Sequence, residues 1–157
     1  RLMAQFDAPA QLRDLAHRYA WAVDRRQGAE LAALFTADGA IRGHGENPID
    51  YTGPARLVEM MGDLGMFERT MHNVFNQLFE QDAQGAVTGL TYCIASHILP
   101  GDEPVCVDMA IWYHDRYALQ GEQWKFAERR LEMLWIENRP VRRFDPTMMS
   151  GAAEDLQ

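Results

Sequence analysis

The sequence predicts an α+β fold, with helices in its first part and an antiparallel sheet in its second. Early in the chain, apolar residues recur at helical spacing between glycine and proline breaks. Later, four strand-like segments are joined by connections of four or five residues, short enough to be hairpins.

From Asp7 to Arg25 the apolar stripe runs Leu12, Leu15, Ala16, Tyr19, Val23, which predicts one amphipathic helix. Asp7 stands where an N-cap belongs, Pro9 suits the first turn, and Gly28 is the expected left-handed stop. A second, short helix is expected over Ala29–Phe35, ending before Asp38-Gly39, and a short strand over Ala40–Arg42. Gly43–Gly53 holds three glycines and one proline and reads as a loop. Pro54 then opens a third helix that runs to Leu64.

The four strands are expected over Thr70–Gln81, Ala86–Leu99, Val105–Tyr117 and Trp124–Ile136. Hairpin connections make the predicted sheet antiparallel throughout. The stretch from Glu137 to Gln157, with Pro140, Pro146 and Gly151, is expected to be an irregular tail. With 157 residues and no repeat or composition break, the chain suits a single domain whose core spans about 8–136.

Val105, Val107, Met109, Ile111 and Tyr113 share one strand face, yet Cys106, Ala110 and Trp112 lie on the other. A sheet covered by helices on one side only would be polar on the second. A second copy of the chain is the expected cover, so the sequence predicts a homo-oligomer.

The net charge of −8 argues against a nucleic-acid surface. No apolar run approaches the roughly 18 residues of a membrane span, and no long apolar stretch marks a signal peptide. Cys93 and Cys106 form no metal-spaced motif and read as buried thiols in a reducing compartment, so the expected location is the cytoplasm. No Walker loop, dinucleotide fingerprint or G-x-S-x-G elbow is present, and neither a cofactor nor a metal is expected.

The chemistry-bearing candidates are few. Asp24 closes the first helix, where a carboxylate opposes the helix dipole by roughly 0.3–1 kcal/mol, and alone it reads as a solvated or turn-forming aspartate. His72 opens the first long strand and alone reads as a satisfied core or edge residue. Paired, the carboxylate would take one ring nitrogen and leave the other as a base. Tyr19 shares the helix's apolar face. Arg129, among Leu131, Met133 and Trp135, needs an anionic partner or a polar substrate group. His97 is a further candidate, while Phe67, Met61, Met66, Met109 and Tyr113 are the expected apolar walls of a pocket.

The segments Tyr19–Gln27, Met66–His72 and Trp124–Arg129 resemble the SnoaL-like branch of the nuclear transport factor 2-like superfamily, a likeness running from Leu12 to Ile136. The strings AVDRRQ and WKF-x-x-R resemble γ-hexachlorocyclohexane dehydrochlorinases, in which the matching aspartate and histidine form the catalytic dyad and the matching arginine assists the departing anion. Position 19 departs from that pattern, with tyrosine for lysine, and is similar to bile-acid 7α-dehydratases. Scytalone dehydratases are a more distant likeness, whose second strand histidine His97 matches.

The resemblance implies a cone-shaped α+β barrel, its helices held in a curved sheet, that packs as a trimer or a dimer. It also implies a cofactor-independent, dehydratase-like lyase acting on a hydrophobic cyclic small molecule. Two alternatives stand beside it: an isomerase on a similar substrate, and a non-catalytic assembly subunit like that of ring-hydroxylating dioxygenases.

Overall fold

The computed structural model describes residues 8–44 and 48–149. Its elements are α1 (Pro9–Asp24), α2 (Gly28–Ala33), β1 (Phe35–Gly43), β2 (Ile49–Thr52), α3 (Gly53–Asp63), β3 (Arg69–Gln81), β4 (Val87–Leu99), β5 (Val105–Gln120) and β6 (Gln123–Pro140), with 3-10 turns at Leu64–Met66 and Pro146–Met149. The strands form one curved, unclosed sheet in the order β2-β1-β6-β5-β4-β3. The fold class is α+β, as the sequence predicts.

The helical stripe does what its spacing dictates. Leu12, Leu15, Tyr19 and Val23 of α1 bury against Phe35, Ile41, Leu57, Tyr113 and Phe126. Each such leucine taken out of water contributes roughly 1.5–3 kcal/mol. The meander β3–β6 is antiparallel and in register along its length, apart from local bulges.

Several local expectations are corrected. The sheet is mixed, because β1 runs parallel to β6. Asp38-Gly39, expected to follow a helix as a turn, lies within β1, and Phe35 belongs to that strand. A Cβ on Gly39 would stand 2.9 Å from the Phe126 carbonyl oxygen, so glycine is what lets the register shift between Phe35 and Ala40 sit against β6.

Gly28 is not a left-handed stop. It opens α2, and a Cβ there would lie 3.2 Å from Val58 Cα, so its smallness serves helix-to-helix approach. The left-handed residue is Arg26, at φ 58°. Part of the expected loop forms β2, and β6 extends to Pro140 into the expected tail. The cap proposed at Asp7 lies outside the described residues, and Ala8 at the cap position makes no side-chain hydrogen bond.

Candidate active site

The end of α1 meets the start of β3, and the two-residue period of a strand turns Thr70 and His72 toward the same carboxylate. Asp24 Oδ1 lies 2.7 Å from His72 Nδ1 and accepts the Thr70 hydroxyl at 2.9 Å. Asp24 Oδ2 accepts the backbone N–H of His72, also at 2.9 Å. Burial alone would raise the Asp24 pKa, but the hydrogen bonds from His72 and Thr70 and the proximity of the imidazole outweigh it, holding the group below its ordinary 3.8. An ionised carboxylate only accepts, so Nδ1 of His72 carries a proton toward Asp24, and Nε2 is the ring nitrogen that the carboxylate does not engage.

Aromatic and imidazole rings surround this pair. Tyr19 meets His72 edge-on with centroids 6.3 Å apart, and His97 meets it at 5.8 Å. The His97 Nδ1–H donates to the Ala95 carbonyl at 3.0 Å, and Phe67 packs on that ring at 4.6 Å. Burial, reinforced by the neighbouring His72, lowers the His97 pKa, so its neutral form is favoured. Burial pushes the Tyr19 phenol up to about 12 and keeps it protonated.

Arg129 finds its anionic partner inside the protein. Register places it opposite Asp115, to which Nε and Nη2 donate at 2.9 and 2.8 Å. Its guanidinium lies over the rings of Tyr19, Tyr113 and Phe126 at 4.2–4.3 Å. Burial alone would lower its pKa, but Asp115 more than offsets this. Only Nη1 lacks a hydrogen-bond partner among the described residues.

Arg129 and Tyr113 are 0% and 1% exposed, so no water-sized space stands beside them. The open space at the Asp24–His72 pair is a groove of about 260 Å³ between α1 and β3, lined by His17, Ala20, Trp21, Asp24, His72 and Val74. Met61 and Met109 are half-buried against the core, whereas Met66 is largely exposed on the 3-10 turn. The structure thus gathers Tyr19, Asp24, His72, His97 and Phe67 in one neighbourhood. It packs Arg129 and Tyr113 behind Tyr19 and leaves Met66 outside.

Sequence reasoning missed Thr70, Arg26 and Asp115. Thr70 was findable, since it lies two positions before His72 and shares its strand face. Asp115 also follows Tyr113 at the two-residue period.

A curved sheet wrapped over a helix, with a carboxylate from that helix held by a sheet histidine, defines a small α+β protein of the nuclear transport factor 2-like class. The chain belongs to the SnoaL-like domain family, whose model matches residues 4–130.

Among solved structures, it is similar to LinA at 23% identity and a TM-score of 0.75, covering 88% of this chain and 94% of that one. A LinA from Novosphingobium barchaimii, described as a hexachlorocyclohexane dehydrochlorinase, is 21% identical with a TM-score of 0.74, covering 88% and 94%. A scytalone dehydratase-like protein from Novosphingobium aromaticivorans is 22% identical with a TM-score of 0.71, covering 87% and 91%. At such identities the likeness is one of fold. No curated protein matches the chain.

Proposed function

We propose that the protein is a cofactor-independent lyase that removes water from a hydrophobic cyclic small molecule, with Asp24 and His72 as its catalytic dyad. The carrying observation is the 2.7 Å contact between Asp24 Oδ1 and His72 Nδ1 beside an open groove. His72 Nε2 takes a proton from carbon, the electron pair forms the C=C bond, and the C–O bond breaks. The departing oxygen recovers the proton from the imidazolium and leaves as water. Asp24 fixes the ring and stabilises its charged form, as carboxylates do in other Asp–His pairs.

Tyr19 and Arg129 are the groups assigned to the departing oxygen. Tyr19 supports this as a phenol kept protonated by burial, and Arg129 as a charge with one uncommitted nitrogen, Nη1. Contact with Arg129 requires the Tyr19 ring to move aside, because that ring covers the guanidinium at 4.3 Å. Phe67 and His97, whose rings pack beside His72, and the half-buried Met61 and Met109 are assigned as walls for a ring substrate, although the groove at the dyad is itself lined by His17, Ala20, Trp21 and Val74. The relatives described as dehydrochlorinase and dehydratase-like support elimination as the reaction class.

The test is a panel of hydroxylated alicyclic and aromatic compounds with mass spectrometry of the products. Loss of water, abolished by His72→Ala and by Asp24→Asn, is the expected result. Products of unchanged mass would convert the reading to isomerisation, and full turnover in both variants would overturn it.

The assembly is a homo-oligomer, with a trimer favoured over a dimer. Met71, Phe75, Leu78 and Trp135 are exposed on the outer side of the sheet. Phe75, Tyr92, Ile94, Trp112 and Trp135 line an apolar groove there of about 300 Å³.

A further inference from the structure

We propose that Arg26 and Thr70 are positioning residues that fix Asp24, and through it the His72 ring. The inference deepens the lyase reading and rests on it for its catalytic meaning.

Arg26 adopts φ 58°, a conformation that residues with side chains seldom take outside turns. From there its guanidinium folds back over the end of α1. Nη1 donates to the Val23 carbonyl at 2.8 Å and to Thr70 Oγ1 at 2.8 Å, and Nη2 donates to the Leu64 carbonyl at 3.2 Å. One side chain therefore ties the helix end, the 3-10 turn and β3 together. Its neighbour Arg25 does nothing comparable and lies over the Trp21 ring at 5.1 Å.

The direction of the hydrogen bonds gives the arrangement its consequence. A hydroxyl has one proton and is free to rotate until its lone pairs are engaged. Arg26 can only donate, so it occupies an acceptor site on Thr70 Oγ1 and directs the hydroxyl proton to Asp24 Oδ1 at 2.9 Å. That same oxygen faces His72 Nδ1, and the other carboxylate oxygen holds the His72 backbone N–H. Donors thus converge on Asp24 from two sides, Arg26 through Thr70 on one and His72 on the other, which fixes the carboxylate's rotation and keeps Oδ1 facing the Nδ1–H of His72. A guanidinium that merely capped α1 would need the Val23 carbonyl and not the threonine.

Nuclear magnetic resonance of the His72 Nδ1–H, assigned by its disappearance in His72→Ala, tests this without a substrate. Thr70→Val removes the hydroxyl link and leaves the Arg26 contacts to Val23 and Leu64. The expected result is loss or a clear upfield shift of the resonance in Thr70→Val, its recovery in Thr70→Ser, and the same loss in Arg26→Met. On a compound that the panel shows to be dehydrated, kcat should fall at least tenfold in Thr70→Val with KM little changed, and recover in Thr70→Ser. A wild-type resonance in Thr70→Val overturns the proposal. If that variant does not fold, a wild-type resonance in Arg26→Met overturns it instead. A resonance that responds as expected, in a protein whose turnover survives His72→Ala, leaves the positioning intact and removes the lyase reading.

Discussion

Arg129 and Asp115 form a two-pronged ion pair at 2.9 and 2.8 Å with neither side chain exposed to solvent. Thr91 and Tyr117 add contacts to the same carboxylate at 3.4 and 3.1 Å. Breaking such a pair strands a buried charge, which costs roughly 3–5 kcal/mol, whereas replacing both partners by apolar groups is often neutral. Arg129→Met alone should therefore lower the urea midpoint sharply, and Arg129→Met with Asp115→Leu should recover much of the loss. Urea unfolding at a constant m-value measures both. A double variant as unstable as the sum of its singles would show that the pair is not a closed electrostatic unit.

The pair also shows where sequence reading reaches its limit. The sequence places Arg129 on a face with Leu131, Met133 and Trp135. A register shift opposite Ala110 and Ile111 instead sends Trp135 to the outer face and leaves Met133 and Trp135 44% and 61% exposed. The apolar neighbours that make an anion necessary are Tyr19, Tyr113 and Phe126. Which anion depends on the β5–β6 register, set by pairings spread along two strands. The helical stripe of α1 and the hairpin meander were readable because their signals are local. The parallel β1–β6 pairing was not, since its partners lie more than 80 residues apart in sequence. Asp24 and His72 were singled out jointly through the resemblance, while the Thr70 and Arg26 contacts appear only once α1 is laid against β3. The bulge at Gly39 mimicked a turn for a similar reason. A glycine admitting a close backbone approach and a glycine admitting a turn look alike in sequence.

Acid should destabilise the protein in two separate ranges. Burial, with smaller contributions from the neighbouring His72 and the Arg26 guanidinium, holds His97 below its ordinary 6.5. The unfolded chain then takes the proton first, so stability is full above pH 6.5 and falls as the pH drops toward the folded value. Asp24 is held below 3.8, so its contribution is present above that value and disappears as the pH falls through the folded one. His97→Gln should flatten the first decline, and Asp24→Asn the second. Urea midpoints measured across pH for the three proteins check this. A His97→Gln curve parallel to the wild type from pH 6.5 down to the carboxylate range would contradict the first assignment.

On the outer sheet face, Trp135 and Phe75 are 61% and 56% exposed. A glutamate at either position would place a charge within the proposed interface, where desolvation is unfavourable. Phe75→Glu and Trp135→Glu should each shift the mass in solution from an oligomer, expected to be a trimer, toward the monomer. Light scattering coupled to size exclusion reads this directly, with circular dichroism to confirm folding. A wild-type protein that is monomeric throughout would remove the assembly proposal.

Asp24→Asn separates the proposed chemistry from packing, because it keeps shape while exchanging a charged, acceptor-only carboxylate for a neutral amide that both accepts and donates. The carboxylate accepts three hydrogen-bond donors: the Thr70 hydroxyl, the His72 backbone N–H and the His72 ring. An amide has one oxygen and one NH₂ group, and so cannot serve all three. With its oxygen toward the His72 backbone, the NH₂ faces Nδ1 and drives the ring proton to Nε2. The base is then protonated where the proposed reaction needs a lone pair. Turned the other way, the NH₂ opposes the His72 backbone N–H and leaves a donor unpaired. Both orientations should reduce turnover by about 10²–10⁴-fold, the range associated with losing a correctly oriented base. KM should change little, since Asp24 stands behind the ring in this mechanism. Turnover within a factor of two of wild type, in a protein whose ring proton has moved to Nε2, would show that His72 is not the base.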